Sequence, residues 1–211
     1  MKYFKIGTEI DWFEIMELSY LEDLRVLFNE TQNTWRSKMD SFQEEIDQID
    51  EKDREEYIDF HYDNLVQIRD NLPRITNNSM LTNLYSFFEV SLNDFYDKVR
   101  TESASDVQTK HLTNKLIFLN ENFAVEAVKI EELIQLDFVR ELRNRIMHSN
   151  GKVEKKQFAE LVIKIEQCPH TKLSSLNELI LSNDFIEETF ALVEDVLRNI
   201  NSSYRDKQQQ D

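Results

Sequence analysis

The apolar residues of this chain recur mostly three and four apart, the spacing that lays one continuous stripe along a helix. The clearest stripe runs through residues 80–100, where Leu84, Phe88, Leu92, Phe95 and Val99 share a face. The same pattern predicts helices over 14–29, with Phe13, Met16, Leu21, Leu24 and Leu27 turned inward, and over 35–50, 112–122, 130–149, 158–167 and 184–200. Asn150-Gly151 ends the 130–149 helix in the manner of a left-handed stop, and Asp184-Phe185-Ile186-Glu187 fits a capping box that opens the last helix. Pro73 followed by Asn77-Asn78-Ser79 predicts a break, because proline disfavours helix in the residue before it and Asn and Ser compete for backbone hydrogen bonds. That break divides the chain into an acidic helical N-terminal extension over 1–75 and a helical bundle over 76–201, followed by a frayed tail over 202–211. Thr101-Glu102-Ser103-Ala104-Ser105-Asp106 reads as a polar loop, Cys168-Pro169-His170 as a connector, and residues 176–181 as either a short strand or a loop pinned to the core.

Composition supports an all-α fold. Two glycines and two prolines in 211 residues leave little material for the tight turns of a many-stranded sheet, while fourteen Phe and seven Tyr supply large apolar surface to bury. No run approaches the roughly 18 consecutive apolar residues of a membrane span, and Met1-Lys2-Tyr3-Phe4-Lys5-Ile6-Gly7 lacks the apolar core of a signal peptide, so no membrane association is expected and the location predicted is cytoplasmic. The single cysteine, Cys168, forbids an intrachain disulfide, and no ligand set at zinc-site spacing accompanies it, so neither metal nor cofactor is expected. A net charge of −16 argues against general attraction to nucleic acid, so any polyanion must be met by a local basic patch.

The acids crowded between Glu44 and Asp63 read as a solvated helix face, since calcium loops need a fixed pattern that includes a glycine. His61 lies between Asp59 and Asp63, but helical neighbours two apart point about 200° apart and would not converge on a metal. With the Glu-x-x-His spacing of di-iron bundles absent, His61, His111 and His170 read as surface or packing residues.

The exception is Arg143-Asn144-Arg145-Ile146-Met147-His148. On a helical wheel Leu136, Val139, Leu142 and Ile146 face inward, while Asn144 and His148, four apart, stack on the opposite side. Arg143 stands between the two and needs a carboxylate, for which Glu89, on the flank of the 80–100 stripe, is the candidate. Arg140, Arg145, Lys152, Lys155 and Lys156 make this the most cationic neighbourhood of an acidic chain and the local patch that a nucleic acid such as RNA would need. Arginine's donor fork matches phosphate oxygens and histidine exchanges protons near neutral pH, a pairing suited to phosphodiester chemistry. The same residues in a last helical turn also serve simply to satisfy terminal carbonyls and the helix dipole.

This segment, continued by Ser149-Asn150-Gly151, resembles the Arg-Asn-x-x-x-His motif of HEPN (higher eukaryotes and prokaryotes nucleotide-binding) domains, and Leu84-Tyr85-Ser86-Phe87-Phe88-Glu89 is similar to the earlier helix in which many of them carry an acid. The similarity covers residues 76–200 in helix order. It implies a HEPN-like bundle that forms a homodimer with two motifs facing one cleft, and metal-independent RNA cleavage in a toxin or antiviral defence role, with an antitoxin or other protein as a further partner. Under that resemblance Arg143, Asn144 and His148 are the expected catalytic residues and Glu89 the support of Arg143. The alternative is a non-catalytic HEPN-like module for dimerisation, protein binding or nucleotide binding, because fold alone does not fix activity. A helical protein with an inert surface is a third reading.

Overall fold

The computed structural model of the chain describes residues 11, 13–103, 105, 108–123 and 127–210. Residues 1–7, Ala104, Asp106 and Asp211, on which parts of the expectations above fall, lie outside them. The elements are α1 (Leu18–Asp47), α2 (Arg54–Phe60), α3 (Tyr62–Val66), α4 (Leu72–Glu102), α5 (Leu112–Asn122), α6 (Ile130–Ser149), α7 (Ala159–Gln167), β1 (Thr171–Leu173), β2 (Leu179–Leu181) and α8 (Asn183–Gln210). Helix accounts for 80% of the structure and the two strands form one small antiparallel hairpin, so the fold is all-α. Among the described residues no helix is long and apolar enough to cross a membrane.

α4 is the central element, and α1, α5, α6 and α8 all pack on it. Its expected stripe is buried throughout, from Leu84 to Val99, and Met80, Leu81, Tyr85, Phe87 and Tyr96 are buried beside it. A helix buried on so many sides is stabilised mainly by packing, at about 1.5–3 kcal/mol for each fully buried large apolar side chain. Phe185, Phe190, Val193, Leu197 and Ile200 of α8 complete the same core.

The expected boundary at residue 75 falls inside α4, which is continuous from Leu72. Pro73 sits in the first turn, where its missing N–H costs nothing, directly after a π-helical turn over Gln67–Asn71. Asn77 is buried rather than turn-forming. Its side-chain oxygen accepts from Gln32 Nε2 at 2.8 Å, and its Nδ2 donates to the Leu181 carbonyl at 2.8 Å and to Asn183 Oδ1 at 3.0 Å. One amide therefore ties α1, α4, β2 and α8 together. Nor is the N-terminal part wholly an extension. Leu18, Leu21, Leu24 and Phe28 of α1 belong to the main core, and only the later part of α1, with α2 and α3, stands apart around Phe42, Ile46, Tyr57 and His61.

Several local expectations change for physical reasons. Residues 14–29 and 35–50 are not two helices, because α1 runs without interruption from Leu18. Met16 and Leu27 are exposed. The π-helical turn at Phe13–Glu17 breaks the 3.6-residue count, and the inward stripe restarts at Leu18 and passes through Phe28. Thr101 and Glu102, expected in a loop, form the last turn of α4. The cap of α8 is Ser182, whose hydroxyl accepts from the Phe185 N–H at 3.2 Å, rather than a box starting at Asp184. The tail expected to fray over 202–211 is helical through Gln210, because Tyr204 packs on Phe95 at 6.1 Å and Asn201 donates to Asp11 at 2.9 Å.

α1 is also fastened to α8 by charge. Arg25 Nη2 lies 3.0 Å from Glu194 Oε2, and Arg198 Nε lies 3.0 Å from Glu194 Oε1. Burial alone would raise the Glu194 carboxyl, but the two guanidinium groups outweigh it and hold the group below its ordinary value of 4.5.

Two outcomes follow from these contacts. Asn77→Ala leaves Gln32 and the Leu181 carbonyl short of partners and should cost about 2–3 kcal/mol in urea unfolding, whereas Gln43→Ala at an exposed site should stay within about 0.5 kcal/mol. Because Glu194 is lowered in the folded state, its stabilisation is complete above the unfolded value and is lost as pH falls through the folded one. Glu194→Gln should therefore flatten the loss of stability between about pH 5 and 3, and equal acid limbs for the two proteins would refute the assignment.

Candidate functional site

α6 delivers the motif. Leu136, Val139 and Leu142 are buried and Ile146 is half-buried against the core, which fixes the rotation of the helix and leaves Asn144 and His148 on its outer side. The helix stops where Asn150 and Gly151 take left-handed backbone angles, φ 50° and 80°, and the Gly151 N–H returns to the Arg145 carbonyl at 3.0 Å. The exit is pinned as well, since the Gly151 carbonyl accepts from the Leu179 N–H at 2.8 Å and the Val153 N–H reaches the Asn177 carbonyl at 2.9 Å. A Cβ on Gly151 would sit 3.5 Å from the Asn78 side chain, which is ordinary contact, so glycine is favoured there by backbone conformation and not by space.

Arg143 is the most constrained member of the motif. Its Nη2 is 3.7 Å from Glu89 Oε2, the acid expected opposite it, and its Nη1 donates to Asn144 Oδ1 at 3.3 Å. Its guanidinium carbon stands 5.9 Å from the centroid of the Tyr85 ring, and its Nε is buried with no hydrogen-bond partner among the described residues. Tyr85 and Glu89 are one turn apart on α4, so a single face of that helix presents a ring beneath the guanidinium and a carboxylate beside it. His148 is exposed in the last turn of α6, and among the described residues it makes no hydrogen bond, ion pair or ring contact. The imidazole is thus open to a ligand, neither packed inside nor engaged with backbone.

No family model, curated protein or solved structure matches the chain.

The surrounding cations divide into two groups. Arg140 is committed to Asp137, with Nε and Nη2 at 2.9 and 2.7 Å from one carboxylate oxygen. Arg145 lies over the Phe158 ring at 3.9 Å from its centroid. Lys152, Lys155 and Lys156 are exposed in the segment after α6 and form no ion pair among the described residues. Three of the five expected RNA contacts are therefore unengaged, and the other two have partners within the chain.

Tyr85 is the residue that the motif reading missed. Its ring is fully buried, yet its hydroxyl has no hydrogen-bond partner among the described residues. Burial, followed by the charge of Glu89, pushes its phenol far above the ordinary value of 10.0. The signal available in sequence was its place four residues before Glu89, one turn earlier on the same face.

Elsewhere, His61 packs between Tyr57 and Phe60, with ring centroids at 4.4 and 5.0 Å, and His111 is exposed immediately ahead of α5. His170 lies between Asp184 and Glu188, at 3.7 and 3.2 Å. Two surface cavities, of about 970 and 720 Å³, lie away from the motif, and neither is lined by Arg143, Asn144 or His148.

A buried hydroxyl without a partner costs about 1–3 kcal/mol. Tyr85→Phe should therefore raise unfolding stability by about 1 kcal/mol while keeping the ring under Arg143. A fall of similar size in the urea midpoint would mean that the hydroxyl has a partner after all.

Proposed function

We propose that this chain is a metal-independent endoribonuclease of the HEPN type, working as a homodimer whose two motifs share one cleft. The observation that supports it best is the placing of Arg143, Asn144 and His148 at one helix end, with the guanidinium held by Glu89 and the imidazole free in solvent. In the reaction, one imidazole takes the proton of the ribose 2′-OH as the 2′-oxygen attacks phosphorus. The P–O5′ bond breaks and a second imidazole, His148 of the other copy, protonates the leaving 5′-oxygen. Arg143 stabilises the added negative charge on the phosphorane oxygens, and Asn144 orients Arg143 or the phosphate. Lys152, Lys155 and Lys156 supply the backbone contacts. The products are a 2′,3′-cyclic phosphate and a 5′-hydroxyl. The nucleophile belongs to the substrate, so the chemistry requires no metal, and DNA offers no 2′-OH to attack. A toxin or antiviral role in the cytoplasm, with an antitoxin as partner, follows from the resemblance to HEPN ribonucleases.

One observation favours the other reading, a non-catalytic module for dimerisation or for protein or nucleotide binding. Neither of the two surface cavities described above is lined by His148, and the net charge of −16 works against general attraction to RNA.

Purified protein in EDTA should cut labelled single-stranded RNA to cyclic-phosphate ends and leave DNA intact. His148→Ala and Arg143→Ala should each slow cutting by about a hundredfold or more. Cutting that survives His148→Ala, or that needs added divalent metal, would sink the mechanism, and RNA binding without cutting in the wild type would favour the non-catalytic module.

A further inference from the structure

A groove of about 720 Å³ lies between the first half of α6, the end of α7 and the first half of α8. Its floor is apolar. Val139 and Phe185 close it, and Phe138 meets Phe185 edge to face with centroids 6.1 Å apart. Leu192 forms part of the α8 wall and Ile134 part of the α6 wall. Ile134 and, one turn earlier, Ile130 are each 65% exposed, so apolar surface continues out of the groove along α6. Burying such surface gains about 25 cal/mol per Å², and apolar patches rimmed by polar groups are where partners dock.

The rim decides what kind of partner. Among the described residues Glu132, Glu188 and Asp195 line it against a single cation, Lys164, whose ammonium is already held by Glu141 at 2.8 Å. Glu132 spends one oxygen on the Lys129 N–H at 2.7 Å and Glu188 faces His170 at 3.2 Å, but Asp195 makes no ion pair among the described residues. The groove therefore favours a cationic occupant, and a second copy of a chain carrying −16 is a poor match for it. Two helices form the long walls. On α6 the lining runs from Glu132 to Val139 and on α8 from Phe185 to Asp195, about 10 and 15 Å at the helical rise. That span suits two or three turns of helix with anchors at i, i+3 or i+4 and i+7.

We propose that this groove docks a cationic amphipathic helix of a partner protein. It lies on the half of α6 remote from the motif, with Phe138 and His148 about 15 Å apart along the axis, so the docking site and the nuclease reading stand or fall separately.

The probe is a fluorescein-labelled 18-residue helix of leucine and lysine with its leucines on one face, followed by fluorescence anisotropy. The controls are a scrambled peptide of the same composition without an apolar face, and a peptide with glutamate in place of lysine. The wild-type protein should bind the faced peptide at least tenfold tighter than either control, and more weakly as salt rises. Ile134→Asp, at a largely exposed position, and the pair Glu188→Lys with Asp195→Lys should each weaken binding tenfold or more, with helical content unchanged by circular dichroism. Equal binding of faced and scrambled peptides, or binding indifferent to these substitutions, overturns the proposal. It is also overturned if sedimentation finds a dimer that Ile134→Asp dissolves, because the groove is then covered by a second copy.

Discussion

The main core of this fold is arranged around the burial of α4. A polar side chain on the buried faces of this helix is costly unless it finds a partner across an interface. Asn77 does so near one end, by bonding to α1, the end of β2 and the start of α8. Glu89 does so in the middle, where it faces α6 and meets Arg143. The same constraint that organises the core thus selects which residue of α6 is held by a carboxylate. Arg143 owes its fixed position to core packing as much as to its own neighbours in sequence.

The long helices were legible because their apolar period is repeated over many turns, and the end of α6 was legible because Asn150 and Gly151 tolerate left-handed angles. The break at Pro73 and Asn77 was misread for a specific reason. Asn in a turn and Asn buried in a helix look the same in one dimension, and the partners that decide the matter, Gln32 and Asn183, are 45 and 106 residues away. The hairpin of β1 and β2 escaped a firm assignment because three-residue strands are too short to display a period of two. The tail was misread because its polar composition conceals the anchoring of Asn201 and Tyr204.

At the candidate site, helical wheels were enough to set the inward stripe of α6 and to point Glu89 toward Arg143. They were also enough to have paired Arg140 with Asp137 three residues earlier, a local contact that reduces the free positive charge of the patch. The stacking of Arg145 on Phe158 was beyond them, because it depends on how the chain returns after α6. Tyr85 lay in between. Its position relative to Glu89 was readable, but the burial of its hydroxyl beneath an arginine was not.

The end of α6 is an electrostatically demanding place for the proposed substrate. Phosphates are welcomed at helix N termini, whereas a C terminus presents carbonyl oxygens and a partial negative charge. Capture of RNA there must come from side chains. With Arg140 balanced by Asp137 and Arg143 by Glu89, the surplus comes largely from Lys152, Lys155 and Lys156, exposed just beyond the helix stop. Arg143 then contributes geometry more than net charge. At 3.7 Å its contact with Glu89 is long for an ion pair, so the guanidinium is oriented without being saturated and would keep donors for the phosphorane of the proposed reaction. A tighter, two-pronged pairing with Glu89 would have fixed the arginine more firmly and left it less to offer the transition state.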